Sequence, residues 1–474
     1  MSLQPSQREN PSTSFPITLF FSIGTLLLFY TFNQYLYLDQ AGDGFLNLHN
    51  YHWTGSFSTD WATGLDGLAV LFLLLTAFIF PPCYLLSRSI AAVANYYLFI
   101  LFLLFLFLME ILLLAVFQLL DLFFFYFCFE AVLIPMFMLI GQWGSRERRI
   151  TAAYYFFLYT LVTSMCIFVS VFYIFSTLGS TLYPLLADHP FSITEETYLA
   201  IAFFITFATK IPMVPFHIWL PEAHVEAPTV GSVILASLLL KLGGFGFLRY
   251  SLSLFTTANR ALIGLIYILA LLGVLYASLT TIRQIDLKRI IAYSSVAHMN
   301  LAVLGMFAFT QQGLDGSVYL MLGHGIVSGA LFMCIGVLYD RYHTRLLHYY
   351  SGLVTVMPLF ACAFFVFTAA NMGFPGTVNF VAEFLIYTGI FDHNAFIAIL
   401  ATPAIVLSAV YSIWLYNRVI FGTLETRYLH QFNDLFRTET SILLVLVLGT
   451  LYFGLTTTDI LDPVYNSTKW ILVQ

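Results

Sequence analysis

Charge is what this sequence has least of: Asp, Glu, Lys and Arg together supply 9% of 474 residues. That scarcity excludes an ordinary soluble domain, in which about a quarter of residues are charged. Basic clusters are missing as well, and the net charge of −6 is spread over short connections, so neither nucleic acid nor an acidic lipid patch is expected as a partner. The five cysteines, Cys83, Cys128, Cys166, Cys334 and Cys362, lie mostly in apolar runs without C-x-x-C spacing. Disulfides, zinc and iron–sulfur clusters are therefore not expected. No G-x-G-x-x-G fingerprint stands between a strand and a helix, so the chain offers no nucleotide site. The N-terminal stretch has Arg8 as its only basic residue, unlike an Arg-rich transit peptide, and residues 1–14 read as a polar tail.

What fills the chain instead is hydrocarbon: 60% of residues are hydrophobic and the mean hydropathy is +0.89. Apolar runs long enough to cross a core of roughly 30 Å recur from Phe15 almost to the C-terminus. The fold class is all-α polytopic, since a barrel would show short alternating segments. About thirteen spans are expected by this reading, at 15–38, 65–86, 95–118, 120–141, 151–178, 198–222, 225–250, 260–282, 289–309, 315–340, 353–391, 394–422 and 439–458. Fifty Phe and 29 Tyr exceed what lipid-facing helices need, which fits either AT-rich organellar coding or packing preference.

Two spans are interrupted. Pro212 and Pro215 withhold N–H groups from the carbonyls of Ala208 and Ile211 in 198–222, and Gly373-Phe374-Pro375-Gly376 breaks 353–391. Irregular backbone at membrane depth survives only where protein or water satisfies it, and paired broken helices point to an ion path between inverted repeats. The expected organisation is N-terminal helices in 15–94, five-helix repeats in 95–250 and 260–422, each with a broken helix, and a C-terminal helix and tail in 423–474.

Lysine occurs at four positions, Lys210, Lys241, Lys288 and Lys469, and the first two fall inside spans. Every arginine falls at an expected loop or span end. Arginine stays charged, whereas a buried lysine can lose and regain a proton, so the titratable cation is inside and the permanent one outside. Glu130 and Glu383 lie too deep to snorkel, Glu110 interrupts another apolar run, and His298 and His324 titrate near neutral pH. A structural lock between helices is the plainer role for Glu110 and for either histidine alone. For the lysines it is weak, because a residue costing less than about 3 kcal/mol to insert would serve as well. His217 and His224, near a span end with Glu222 and Glu226, either join the relay or tie down a loop. Opposite charges about 4 Å apart at a dielectric near 20 interact by ~4 kcal/mol. An ion pair that opens and closes would then decide whether Lys210 holds its proton.

The stretches "KIPMVPFHIWLPEAHVEAPTVGSVILASLLLKLGGFGFLRY" and "LTTIRQIDLKRIIAYSSVAHMNLAVLG" closely resemble the antiporter-like membrane subunits of the proton-pumping NADH:ubiquinone oxidoreductase, respiratory complex I. Weaker similarity, through "FEAVLIPMFMLIGQWGSRERR" and "GFPGTVNFVAEFL", extends it over about residues 62–422. The resemblance implies a fourteen-helix fold with two inverted five-helix repeats, each with a broken helix. It places Glu130 and Lys210 as a switch pair, Lys241, His298 and His324 as a relay, and Glu383 near the exit. It implies that NADH, FMN, iron–sulfur clusters and ubiquinone belong to sister subunits, with no redox cofactor or metal in this chain and a bound phospholipid compatible with it. Partners would be neighbouring antiporter-like subunits and membrane lipids, in the mitochondrial inner membrane or a bacterial plasma membrane. If span 15–38 is the family's second helix, a separate polypeptide is expected to supply the first.

Three other readings stand beside this one. A multi-subunit cation/proton antiporter shares the buried lysines, and a membrane scaffold that has lost transport shares the fold. A quinol-oxidising cytochrome is disfavoured, since haem needs facing histidine pairs and His298 and His324 lie singly on different spans.

Overall fold

The computed structural model describes residues 11–38, 45–52, 60–91, 95–424 and 433–473. Residues 1–10 of the expected tail, and 425–432 of the loop after Gly422, lie outside the described residues.

Helix α1 (Pro11–Leu36) is followed by a hairpin, β1 (Leu46–His52) against β2 (Asp60–Leu65). This hairpin departs from the all-α expectation. It falls in the connection read as a loop, where polar residues and Gly64 dilute the apolar pattern, and Leu120 N–H donates to Ala62 O to hold it on the helices. Asp66 then caps α2 (Gly67–Leu86) by accepting from Ala69 N–H. The first group continues with α3 (Tyr96–Gln118), α4 (Leu122–Trp143), α5 (Arg149–Leu178), α6 (Ile193–Lys210), α7 (Trp219–Glu226) and α8 (Thr229–Leu254). The second comprises α9 (Thr256–Arg283), α10 (Leu287–Met306), α11 (Gln311–Tyr342), α12 (Pro358–Asn371), α13 (Val378–His393) and α14 (Ala395–Ile420). The chain closes with α15 (Arg437–Leu455) and α16 (Thr458–Val473).

Among the described residues, ten helices are long and apolar enough to cross a membrane. The remaining expected spans are the two broken ones and α10, whose apolar character is diluted by Lys288, Arg289, Ser294, Ser295, His298 and Asn300. Helices α8 and α11 are buried throughout their most apolar stretch, whereas α1, α5 and α15 are mostly exposed there. Lipid therefore meets the outer helices, and polar side chains on α8 and α11 face only protein. Close approach needs small residues: a Cβ on Gly244 of α8 would sit 2.2 Å from Met321 Sδ on α11.

Helix α16 was absent from the expected spans because its polar face keeps it below a crossing segment's hydropathy. It docks against α2 and α11, with Pro463 O only 1.7 Å from where a Gly67 Cβ would stand. Permanent cations sit at span ends as expected, and three of them are paired and buried rather than in water. Arg249 meets Asp66 at 2.5 Å, Arg341 meets Glu439 at 2.6 Å, and Arg345 meets Glu226 and Asp286 at 2.8 Å each.

Candidate functional site in the membrane interior

The first break begins where α6 ends at Lys210. Pro212 cannot serve the Ala208 carbonyl, which accepts from Met213 N–H at 2.8 Å instead. Side chains from elsewhere serve two more: Trp219 Nε1 donates to Thr209 O at 2.9 Å, and Asn300 Nδ2 on α10 donates to Pro212 O at 3.3 Å. The chain thus opens its backbone without leaving these carbonyls bare in an apolar medium.

Lys210, 3% exposed, stands at this opening. Its ammonium lies 4.3 Å from the ring centroid of Phe129 on α4, and neither carboxylate oxygen of the adjacent Glu130 has a hydrogen-bond partner. Glu130 and Lys210 are neighbours across α4 and α6, but their ion pair is open.

Lys241 occupies α8 between two π-helical turns, Leu235–Leu239 and Phe247–Ser251. Such turns widen the helix and free backbone carbonyls locally. Lys241 Nζ donates to Ala236 O at 2.6 Å and lies 2.9 Å from His324 Nδ1 on α11. The His324 and His298 ring centroids are 5.7 Å apart, and His298 Nδ1 on α10 is 3.4 Å from Glu383 Oε1 on α13. Four of the expected residues are thereby brought into one line through four helices. At its end, Glu383 and His298 share a cavity with Ser278, Tyr387, Ser408 and Tyr411; ≈ 20 Å³ of it admits water centres. A volume of that size holds about one water.

The second break positions this end. Gly373 adopts φ +72°, the left-handed region, and a Cβ there would lie 2.8 Å from Glu383 Oε2. The turn brings bare backbone against the carboxylate, which a side chain would displace.

The other expected residues are placed differently. His224 is fully buried, stacked 4.8 Å over Phe332, with both ring nitrogens unpartnered. His217 lies beside Tyr276 and Tyr293, away from the Lys241–Glu383 line. Glu110 sits between α1, α2 and α3, accepting from Tyr84 O–H at 2.7 Å with its other oxygen unpartnered. Sequence reading missed Phe129, Trp219 and Asn300, and for Phe129 no signal set it apart from 49 other phenylalanines. Trp219 and Asn300 carried a weak one, as polar groups within an apolar background near a proline pair.

Residues 120–408 match the model of the NADH:quinone oxidoreductase/Mrp antiporter membrane family, and the chain belongs to that family. It is an antiporter-like polytopic membrane subunit. Its relatives include proteins named NADH-ubiquinone oxidoreductase chain 4, the level at which the quoted stretches place it. That of Arabidopsis thaliana is 47% identical over 93% of this chain and 88% of its own, and that of Chondrus crispus 46% identical over 99% and 94%. Among solved structures, a chain of respiratory complex I from Thermus thermophilus with bound NADH superposes with a TM-score of 0.83 at 28% identity, covering 97% of this chain and 99% of that one. A chain of the Mrp complex from Dietzia sp. superposes at 0.84 with 20% identity, covering 96% and 92%, which shows the shared fold.

Proposed function

We propose that the chain carries protons across the membrane as a core subunit of an NADH:ubiquinone oxidoreductase, driven by redox chemistry in sister subunits. The observation that carries this reading is the row of Lys241, His324, His298 and Glu383, with contacts of 2.9 Å and 3.4 Å at its two ends and 5.7 Å between the two imidazole rings. Lysine, imidazole and carboxylate each gain and lose a proton, and no step needs a bond other than N–H or O–H to break. Glu130 and Lys210 form the switch that loads the line, and Glu383 releases toward the exit. His224 stands beside the relay as a further titratable group, and His217 serves at the edge of the first break. Each proposed repeat, 95–250 and 260–422, contributes one broken helix. NADH, flavin, iron–sulfur clusters and quinone are held by other subunits in this reading. The inner mitochondrial membrane is the setting that relatives from Arabidopsis thaliana and Chondrus crispus support.

A cation/proton antiporter subunit is the second reading, supported by the fold shared with the Mrp chain. The relatives at 46–47% identity favour the oxidoreductase.

The test is Lys210→Arg in the assembled complex. Charge is kept but release of the proton is prevented, so NADH-driven proton uptake into vesicles should fall while assembly on native gels persists. Normal uptake would mean that only the charge matters, and the switch would be lost as a mechanism. A second expected result concerns the exit. Gly373→Ala adds about 1–2 kcal/mol of left-handed strain and pushes the Glu383 carboxylate off His298. Uptake should drop several-fold with the amount of assembled complex unchanged; an unaltered rate would detach Glu383 from the path.

A further inference from the structure

We infer that Phe129 is a positioning residue of the switch, its ring being the second resting place of the Lys210 ammonium when the pair with Glu130 is open. The inference rests on the proton-carrying reading above. Once Lys210 leaves Glu130, a bare ammonium in an apolar interior would have to shed its proton or return at once, unless something else holds it. The face of an aromatic ring is such a partner, and it is stronger where water is excluded. The Lys210 ammonium lies 4.3 Å from the Phe129 centroid, while both Glu130 oxygens are without hydrogen bonds.

The ring is fixed in place. Phe129 is fully buried, stacked at 5.6 Å on Phe125 and met edge-on at 6.0 Å by Phe207, which lies on the same helix as Lys210. Because Phe129 and Glu130 are consecutive on α4, their side chains diverge by about 100°. The flexible four-carbon stem of Lys210 can pass from one to the other by changing rotamers, with α4 and α6 stationary. The switch then moves one side chain rather than a helix.

Among the described residues, other groups around Lys210 do not compete for its charge. From α4 the charged group facing it is Glu130. From α8, Gly243 stands against its Cβ, and Lys241 is engaged by Ala236 O and His324. Helix α5 presents the Thr163 hydroxyl, bonded to that of Thr209, and α10 presents the neutral Asn300. Helix α9 is joined to α6 at Glu196, about 20 Å along the helix from Lys210.

The experiment is the pH profile of NADH-driven proton uptake by the intact complex in vesicles, for Phe129→Leu and Phe129→Tyr, with Lys210→Met in parallel. Without the ring the open-state ammonium is less favoured, so Lys210 empties at lower pH. The alkaline limb of the Phe129→Leu profile should move down by about 1 pH unit, and Phe129→Tyr, which keeps the π face, should superimpose on the parent. If Phe129→Leu does not assemble, Phe129→Met, also apolar and ringless, takes its place with the same expectation. A ringless variant that superimposes on the parent, or a Phe129→Tyr profile displaced as far as the ringless one, overturns the inference. In either case loss of uptake in Lys210→Met leaves the proton-carrying reading standing. Normal uptake in Lys210→Met would instead remove that reading.

Discussion

Lys210→Met in the assembled complex is expected to lower NADH-driven proton uptake by at least about tenfold, and Glu130→Gln to do the same. At contact distance and an effective dielectric near 20, the closed pair is worth ~4 kcal/mol. That is about three pH units in the proton affinity of Lys210, or roughly a thousandfold in its occupancy. Methionine fills the lysine's volume but carries no proton, and glutamine keeps the shape of Glu130 without its charge. In the proposed switch the two residues act as one device, so the double variant should lose no more than the worse single one. Proton uptake measured beside NADH oxidation to an artificial acceptor, with assembly read on native gels, checks all three variants. Losses that simply add in the double variant would mean that Glu130 and Lys210 work separately.

The second large effect lies at one end of the helices, away from the relay. Arg345, 3% exposed, donates to Val225 O at 2.6 Å and Glu226 Oε1 at 2.8 Å, and its Nε is 2.8 Å from Asp286 Oδ2. One guanidinium thus joins the last turn of α7, the α9–α10 loop and the chain after α11. Arg345→Met would leave two buried carboxylates without the cation that contacts them, Lys288 remaining as a more distant charge, a change that typically costs about 3–5 kcal/mol. The expected result is loss of most of the assembled complex at elevated temperature. Adding Glu226→Gln and Asp286→Asn should restore much of it, because removing a whole buried ion cluster is far cheaper than breaking it. The dependence on pH has a definite sign. Burial already raises the Asp286 carboxyl above its ordinary range, with Arg345 opposing. A raised carboxyl in the folded state favours the protonated form, so its stability is fully present below the unfolded value and is lost as pH rises through the folded one. The Arg345→Met deficit should therefore shrink on acidification, and a deficit that grew instead would show that these acids are not what Arg345 neutralises.

Much of the candidate site was legible in the sequence because burying charge in hydrocarbon is costly, and a lysine or glutamate deep in an apolar run announces itself. Lys210, Lys241, Glu130 and Glu383 were found that way, and the breaks at Pro212 and Gly373 by the missing N–H groups and the glycine pair around Pro375. The π-helical turns on either side of Lys241 left no mark, since they arise from how α8 packs rather than from any residue type that demands them. Phe129 was hidden for the opposite reason: its chemistry is ordinary in this composition, and only its placement under Lys210 gives it a role. The hairpin and α16 were missed because each is polar enough to fall out of a hydropathy reading, yet is held by tertiary contacts. The open state of the Glu130–Lys210 pair is likewise a matter of rotamers, which spacing along the chain does not encode.

Asn300 and His298 stand two positions apart on α10, about 3 Å along its axis. Asn300 grips the unwound carbonyl of Pro212 in one half of the molecule, and His298 touches Glu383 in the other. A rigid strut gripped at adjacent points by both halves cannot be tilted or slid by one without tugging on the other. Any disturbance that loosens the first opening is thereby felt at the second.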